Sequence, residues 1–409
     1  MPLHTQAGRR LRHAPPRIAL TSLPAVAAVT KGVGRLGSGN GCDAAADPAL
    51  SAFAAELPWP DDGQSSVEAG GLGSLGTRGE QTSVAVAGEP RTRARARARA
   101  KGLTAPWSWR RGRVTAVLAL LCTTMLLLHR RIPNGPGRPA GLVENFLPWV
   151  GAAVLPLLVA ALVRRSATAL VAVLLPAVTW VSLFGGTLAD KRGTGGDLTV
   201  VSHNVGDADP GPASRLLAAS GADVIGLEEL TDANVPAYER VLADAYPYHH
   251  VVGTVGLWSK RPLRDVRPVP IMAWTRALRA TVGTPRGPVA VFVAHLPSVR
   301  VQPAEGFTTN WRDHAVVRLA DAVHRAPERR RILMGDFNGS PDDRGLTPVT
   351  SVMRSAQQVA GAGFGFTWPA ALPVVRIDHV FTQGVDPVAA WTLPRTGSDH
   401  RPVAASVNL

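Results

Sequence analysis

The residues whose types and spacing best suit chemistry are Asp336 and Asn338, which follow the short apolar run Ile332 to Met334. Gly335 is expected to end this predicted strand before the polar pair. Residues at spacing two along an extended backbone project to one face, so a carboxylate and a carboxamide would lie side by side. Such a pair can orient a water molecule and bind a phosphate oxygen. The same Asp-x-Asn-Gly pattern also forms ordinary capped turns, and that interpretation stays open for these residues alone.

Other apolar runs in the C-terminal half carry polar residues in the same way. Strands that each place a polar group at one end are a common means of building an active site on a sheet. The polar residues of these four runs are Asn204, Glu229, His295 and Asp378, and a sixth segment with Asp399 and His400 lies close to the C-terminus. Together with the Asp-x-Asn pair they predict a site assembled from six separate segments.

These six motifs, in this order, resemble those of the endonuclease/exonuclease/phosphatase superfamily, which includes DNase I, abasic-site endonucleases, inositol polyphosphate 5-phosphatases and neutral sphingomyelinases. The resemblance covers residues 198–409. It implies an α+β catalytic domain with the DNase I-like four-layer α/β/β/α sandwich, in which two packed sheets are flanked by helices. The alternation of predicted strands and helices alone would indicate only an α/β or α+β fold.

The resemblance also implies a role for each catalytic residue. His400 would contact the scissile phosphate and act in proton transfer, with Asp378 fixing its imidazole. His295 would be a general acid or a second phosphate contact, and Asp336 and Asn338 would orient the attacking water. The implied reaction is hydrolysis of a phosphoester or pyrophosphate by in-line attack of water, without a covalent intermediate.

A divalent metal site is implied at Asn204, Glu229 and Asp399. Oxygen donors of this kind suit Mg²⁺, with Mn²⁺ as the alternative. Glu228 departs from the family pattern, which usually has Gln at this position. The family position of the ligand falls on Glu229, and a different strand register would give that role to Glu228.

The charge of the chain is unevenly distributed. The net charge is +14 over 409 residues, but from Leu198 onward 21 Lys and Arg residues accompany 19 Asp and Glu residues. A dedicated nucleic-acid binder usually carries a clear basic excess, which this half lacks. The C-terminal half, from Leu198 onward, contains no cysteine, so it needs no disulfide and is compatible with either side of a membrane.

Residues 1–105 are rich in Gly, Ala, Ser, Pro and Arg and show no sustained apolar period, and segment 91–100 alternates Arg with Ala or Thr. This composition predicts a disordered, basic, low-complexity tail. Two alternatives stay open. The tail could bind nucleic acid or anionic lipid, or the start codon could have been assigned too early.

Three apolar stretches in the region 106–192 predict three membrane helices, at about 114–128, 146–163 and 167–189. A membrane-spanning helix needs about 20 mostly apolar residues, so the first stretch must include flanking residues. Helices at the edge of a soluble core keep a polar face, which these three lack. The chain is therefore predicted to be a multi-pass protein of the cell membrane.

The distribution of arginine predicts the orientation of these helices. Arg110, Arg111 and Arg113 precede the first apolar stretch, and segments rich in Arg and Lys tend to stay in the cytoplasm. An odd number of spans would then place residues 198–409 outside the cell. The basic segment 129–131 opposes this arrangement, because it would also lie outside. The balance favours a cytoplasmic N-terminus and an extracytoplasmic catalytic domain.

The combination of apolar helices and catalytic domain resembles the membrane-bound actinobacterial proteins of the VanJ type, which are associated with teicoplanin resistance. That likeness implies a phosphorylated lipid substrate in the bilayer, such as undecaprenyl diphosphate, at the outer face of the membrane. No protein partner is expected. A membrane-tethered extracellular nuclease is the first alternative, with nucleic acid as its substrate. The second is an inactive surface binding module, against which the complete set of polar residues argues.

Overall fold

The computed structural model describes residues 107–135, 138–302 and 306–409. The predicted disordered tail, residues 1–105, lies outside the described residues. Within the described part, four α-helices precede the first strand. They are α1 (Arg113–Leu128), α2 (Pro139–Asn145), α3 (Val154–Val163) and α4 (Ala167–Leu188).

Two or three of the apolar segments are long enough to cross a membrane. α1, with the 3₁₀ turn that continues it to Arg131, and α4 each satisfy length and composition. A third span arises only if α2 and the segment Leu147–Val163 are counted together, and these are bent by 70° to one another. Large apolar side chains remain exposed on α1 and α4, such as Leu121 at 59% and Val178 at 64%. Extensive apolar surface of this kind is rare in water-soluble monomers.

The predicted second membrane helix, 146–163, does not begin as an α-helix. Leu147–Ala153 is a 3₁₀ helix, and the α-helical part, α3, starts only at Val154. Pro156 has no backbone N–H to donate to the carbonyl of Ala152, so the α-helical hydrogen bond between these two residues is missing.

Two six-stranded sheets dominate the described C-terminal region. The first has the order β13-β14-β1-β2-β4-β3 and the second β11-β12-β10-β7-β6-β5. The first sheet contains β1 (Leu198–Asn204), β2 (Val224–Glu228), β3 (Tyr248–Val252), β4 (Val255–Ser259), β13 (Asp386–Thr392) and β14 (Val403–Asn408). The second contains β5 (Leu263–Pro268), β6 (Ala277–Thr284), β7 (Gly287–His295), β10 (Arg331–Asp336), β11 (Arg354–Ser355) and β12 (Asp378–Gln383). A short ribbon is formed by β8 (Arg300–Gln302) and β9 (Gly306–Thr308).

Helices cover the outer face of each sheet. Apolar residues of both sheets, such as Val200 and Val293, form the core between them. Leu217 and Leu242 pack on the first sheet, and Leu319 packs on the second. The helices of this region are α5 (Pro210–Ala219), α6 (Val235–Leu242), α7 (Asn310–His324), α8 (Thr347–Thr350) and α9 (Ala356–Ala360). The predicted two-sheet α/β/β/α sandwich is therefore confirmed.

The expectation that Gly335 ends its strand is wrong, because β10 continues through it to Asp336. Gly335 has φ 146, and a Cβ built on it would lie 1.8 Å from the carbonyl oxygen of Ala294 on β7. No side chain fits there. Glycine at this position therefore lets β10 and β7 lie close together, and it does not end β10.

Candidate active site

Three adjacent strands of the second sheet place three predicted site residues side by side. Asp336 at the end of β10 is in register with His295 at the end of the parallel strand β7. It is also in register with Asp378, the first residue of the antiparallel strand β12. Residues in register on neighbouring strands project to the same face about 5 Å apart, so the three side chains meet at one edge of the sheet.

The first sheet contributes Asn204 and Glu229 to the same edge. Asn204, at the end of β1, donates through Nδ2 to Asp336 Oδ2 at 3.1 Å and to Glu229 Oε1 at 3.0 Å. The Glu229 Oε1 atom lies 3.4 Å from His295 Nε2. Asn204 thus joins the polar ends of the two packed sheets.

The segment before β14 supplies His400 and Asp399. His400 Nδ1 lies 3.0 and 3.1 Å from the two carboxylate oxygens of Asp378, so one aspartate orients the imidazole. The other ring nitrogen, Nε2, lies 3.9 Å from Asp336 Oδ2 and 4.0 Å from Asp399 Oδ1. Asp399 is exposed and accepts a hydrogen bond from Trp368 Nε1 at 3.0 Å.

Asn338 reaches the site in a different way from the extended backbone that its spacing predicted. It lies beyond β10 with φ 47, in the left-handed region that Asn tolerates better than most residues. Its backbone N–H donates to Asp336 Oδ1 at 2.8 Å, and its Nδ2 donates to Asp336 Oδ2 at 3.2 Å and to the Leu296 carbonyl at 2.9 Å. A turn, and not a strand, therefore sets the two side chains beside one another.

Burial and charge give His400 and Asp378 opposite pKa shifts. Burial lowers the pKa of His400, but the charge and hydrogen bond of Asp378 and the charges of Asp336 and Asp399 together raise the pKa to about 10. Burial raises the pKa of Asp378, but the facing imidazolium, the Thr367 hydrogen bond and the charge of His379 together hold the pKa below its usual value. At neutral pH the two groups therefore form an ion pair that keeps a proton at His400 Nε2.

Asp336 and His295 are shifted towards their neutral forms. Burial, and then the charge of Asp378, raise the pKa of Asp336 to about 7. Burial, followed by the positive charges of Arg276 and His400, holds the pKa of His295 well below its usual value. A carboxyl group that titrates near neutrality can accept and release a proton under physiological conditions.

Two arginines near the site were not identified from the sequence as site residues. Arg276 contacts both ring nitrogens of His295, and no local pattern marks it. Arg312 is buried and donates to the Asn338 carbonyl at 2.8 Å and to Asp343 Oδ2 at 2.6 Å. The sequence did contain a signal for its burial, because Arg312 lies on the same face of α7 as the buried apolar residues Ala315, Val316 and Leu319. Arg312 fixes the loop that carries Asn338.

The residues around Gly206 fit the predicted divalent cation. A Cβ on Gly206 would lie 3.5 Å from Asp399 Oδ1 and 3.7 Å from Glu229 Oε2, so two carboxylates flank a space that a side chain would fill. The carboxamide oxygen of Asn204 lies at the same place and accepts the Gly206 N–H at 3.1 Å. These are hard oxygen donors, which Mg²⁺ prefers.

A different set of possible ligand atoms, from Asp336, Asp378 and His400, lies within 4.8 Å of one another. Both oxygens of Asp378 contact the His400 ring, so this carboxylate serves the imidazole. We therefore favour Glu229, Asn204 and Asp399 as the metal ligands.

Glu229 rather than its neighbour faces the site. Glu229 follows β2 with φ 60, an uncommon conformation for a residue with a Cβ, and its side chain is 42% exposed. Glu228 is fully buried and accepts a hydrogen bond from Ser202 Oγ at 2.7 Å. Burial raises the pKa of Glu228 well above its usual value, so it is neutral, like the Gln that the family pattern has there.

Glu229→Gln is expected to weaken Mg²⁺ binding by about tenfold or more, because a charged oxygen donor is lost. Glu228→Gln is the matched control and is expected to leave the affinity within about twofold, because it replaces a neutral group by one of the same shape. Calorimetric titration of the full-length protein in detergent measures both. A loss of affinity in Glu228→Gln alone would transfer the ligand role to Glu228.

Acidification is expected to destabilise the fold through His203 and His379. Both are buried, and burial lowers the pKa of each to about 3. Below pH 6.5 the unfolded chain therefore binds protons that the folded chain does not, which removes about 1.4 kcal/mol of stability per pH unit for each histidine. Thermal unfolding in detergent should show a lower Tm at pH 5 than at pH 7. His203→Gln should reduce this difference, whereas substitution of the exposed His250 should not.

Comparison with known proteins gives a match for the same region. Residues 201–400 match the model of the Endonuclease/Exonuclease/phosphatase family. Comparison with curated proteins gave no sequence match.

Several solved structures resemble the chain over about half of its length. An endonuclease/exonuclease/phosphatase from Beutenbergia cavernae DSM 12333 is 20% identical over 53% of this chain and 72% of its own, with a TM-score of 0.43. Humanized D. rerio TDP2 is 21% identical over 52% of this chain and 99% of its own, with a TM-score of 0.44. The Bacteroides thetaiotaomicron VPI-5482 mannosyl-6-phosphatase is 15% identical over 51% of this chain and 99% of its own, with a TM-score of 0.43.

The matched segment contains every polar residue of the site, from Asn204 to His400. Residues 201–400 of this chain are thus similar to the Endonuclease/Exonuclease/phosphatase family over the whole segment that carries the site.

Proposed function

We propose that this protein is a divalent-metal-dependent phosphohydrolase of the cell membrane that acts on a lipid phosphate, such as undecaprenyl diphosphate, at the outer face. The observation that carries the proposal is the buried His400–Asp378 ion pair beside Asp336. It lies at a cavity of about 250 Å³ that Asp336, Asn338, Glu229, Asp399 and His400 line. A cavity of this size accommodates a phosphate group and the part of the substrate next to it.

The geometry assigns complementary tasks to the two sides of the site. Asp336, whose pKa is about 7, accepts a proton from the attacking water, and the N–H groups of Asn338 and Asn204 hold its carboxylate in place. His400 keeps a proton at Nε2, where it can stabilise a phosphate oxygen or protonate the leaving oxygen. A bound Mg²⁺ would neutralise charge on the phosphate.

Two features favour a lipid phosphate over nucleic acid. Two or three helices of the described chain have the length and composition of membrane spans. Within the described residues, the wall of the cavity includes neither lysine nor arginine. Nucleic-acid binding depends on basic groups that neutralise several phosphates in a row, whereas a single phosphate held with a metal ion does not.

The proposed orientation places the N-terminus in the cytoplasm and the catalytic region outside. It rests on Arg110 and Arg111, which precede α1, and on Arg113, which is its first residue. The substrate would then be a carrier lipid presented at the outer leaflet, and hydrolysis would release inorganic phosphate there.

The test compares two reactions of the full-length protein in detergent with Mg²⁺, which are phosphate release from undecaprenyl diphosphate and cleavage of plasmid DNA. The expected result is phosphate release that excess EDTA abolishes, without DNA cleavage. DNA cleavage without phosphate release would identify a tethered nuclease instead. Activity that survives EDTA would contradict the metal-dependent reaction.

A further inference from the structure

One wall of the catalytic cavity comes from outside the family domain. Asn145, the last residue of α2, and Phe146 line the same cavity as Asp336 and His400. They belong to the segment between the two apolar helices α1 and α3, far before residue 201 in the chain. The cavity is thus completed by the part of the chain that connects candidate membrane spans.

This segment is held against the catalytic domain by buried polar contacts. Glu144 has no exposed surface, and its carboxylate accepts hydrogen bonds from the Arg344 backbone N–H at 2.9 Å and from Arg344 Nε at 2.8 Å. Asn145 donates to Asp343 Oδ2 at 2.7 Å and accepts from the Ser340 N–H at 2.7 Å. A buried carboxylate is costly without such partners, so these contacts specify one position for the segment.

The loop that receives these contacts is the one that carries Asn338. Arg312 binds both the Asn338 carbonyl and the Asp343 carboxylate, and Asp343 is also the partner of Asn145. The segment and the catalytic loop therefore share a hydrogen-bond network. A wall built in this way is a fixed part of the site.

The wall of the cavity combines charged or polar groups with apolar ones. The apolar residues of the wall are Phe146, Val299, Phe307, Trp368, Val375 and Ile377. Phe307 packs on α2 at Gly141, where a Cβ would lie 3.1 Å from its ring. Phe146 remains 37% exposed, so its ring is available for contact. A wall of this mixed composition suits an amphiphilic substrate, which has both a phosphate and a hydrocarbon to bind.

We propose that Phe146 and Phe307 determine substrate specificity by binding the hydrocarbon chain of the lipid phosphate directly next to its phosphate group. This inference rests on the proposed function and adds to it the residues that recognise the lipid. Because Phe146 stands immediately before the 3₁₀ helix that leads into α3, the chain of a membrane lipid can reach this wall without leaving the surface of the apolar helices. Residues 201–400 alone would contain Phe307 but would lack Phe146.

The experiment measures kcat and KM of the full-length protein in detergent with undecaprenyl diphosphate. Phe146→Ala is expected to raise KM about tenfold and to leave kcat within about twofold, because it removes an apolar contact that ground state and transition state share. Phe307→Ala is expected to act in the same direction. Leu142→Ala is the matched control, since Leu142 lies on α2, is exposed, and is not part of the cavity wall.

A second readout separates lipid binding from phosphate binding. Inhibition by inorganic phosphate should be the same in Phe146→Ala and in the wild type, because this ion has no hydrocarbon to contact. Loss of kcat with unchanged KM, equal weakening of phosphate inhibition, or no change at all would each overturn the inference while the proposed function stands. Absence of phosphate release by the wild type would overturn both.

Discussion

Replacing His400 by Ala is expected to reduce kcat for phosphate release by about a thousandfold or more. The substitution removes both the proton at Nε2 and the positive charge beside Asp336, which lies 3.9 Å from that nitrogen. General acid catalysis and electrostatic stabilisation each contribute roughly a hundredfold or more to rates of this kind. The measurement is the rate of phosphate release by the full-length protein with saturating substrate and Mg²⁺.

A loss of activity could also follow from a damaged fold, because His400→Ala leaves the carboxylate of Asp378 buried without its partner. Breaking a buried ion pair in this way costs about 3 to 5 kcal/mol. The double variant His400→Ala/Asp378→Asn removes the buried charge as well, and it is expected to recover most of the Tm but none of the activity. His250→Ala, at an exposed position, should behave as the wild type. Wild-type turnover in a folded His400→Ala protein would refute the assignment of this site.

Asp336→Asn is expected to lower kcat by a similar factor, about a thousandfold, although the side chain keeps its shape. Asp336 accepts hydrogen bonds from Asn204 Nδ2, from the Asn338 backbone and from Asn338 Nδ2. A carboxamide can accept with only one of its two terminal atoms, so one donor loses its partner and the base for water activation disappears.

The matched control is Asp342→Asn, in the same loop but outside the wall of the catalytic cavity. It is expected to keep the activity within about twofold. Comparable losses in both variants would mean that the loop as a whole, and not the Asp336 carboxylate, limits the rate. Thermal unfolding of each variant verifies that the comparison is made between folded proteins.

The sequence by itself was sufficient to predict the apolar helices and the polar residues that gather at the sheet edge, because these features depend on local patterns that the chain displays directly. The two-sheet sandwich was predicted only through the resemblance of the six motifs to a known family. Short apolar runs that end in Asn204, His295 or Asp336 indicate strands with polar ends, and long runs without charge indicate apolar helices. The roles given to those residues stay predictions until the variants are measured.

Prediction from local sequence pattern failed where contacts with a neighbouring strand determine the backbone conformation. Gly335 looked like a strand end, but the carbonyl of Ala294 on β7 leaves no room for a side chain, and the strand runs through it. Asn338 looked extended, but hydrogen bonds from its backbone and side chain to Asp336 hold it in a turn. The outcome at Gly335 depends on atoms that are distant in sequence, whereas Asn338 adopts the capped turn that the Asp-x-Asn-Gly pattern also allows.

The tertiary structure alone decided how the charges of the site are balanced and what completes the cavity. Glu228 and Glu229 are adjacent and identical in type, yet only Glu229 faces the cavity, because β2 buries its neighbour between the sheets. Glu144 and Arg344 are 200 residues apart, and nothing in either segment marks them as partners. A sequence specifies which side chains are apolar, polar or charged, but pKa values and ion pairs depend on distances of a few ångströms that only the packing of the two sheets and the helical segment establishes.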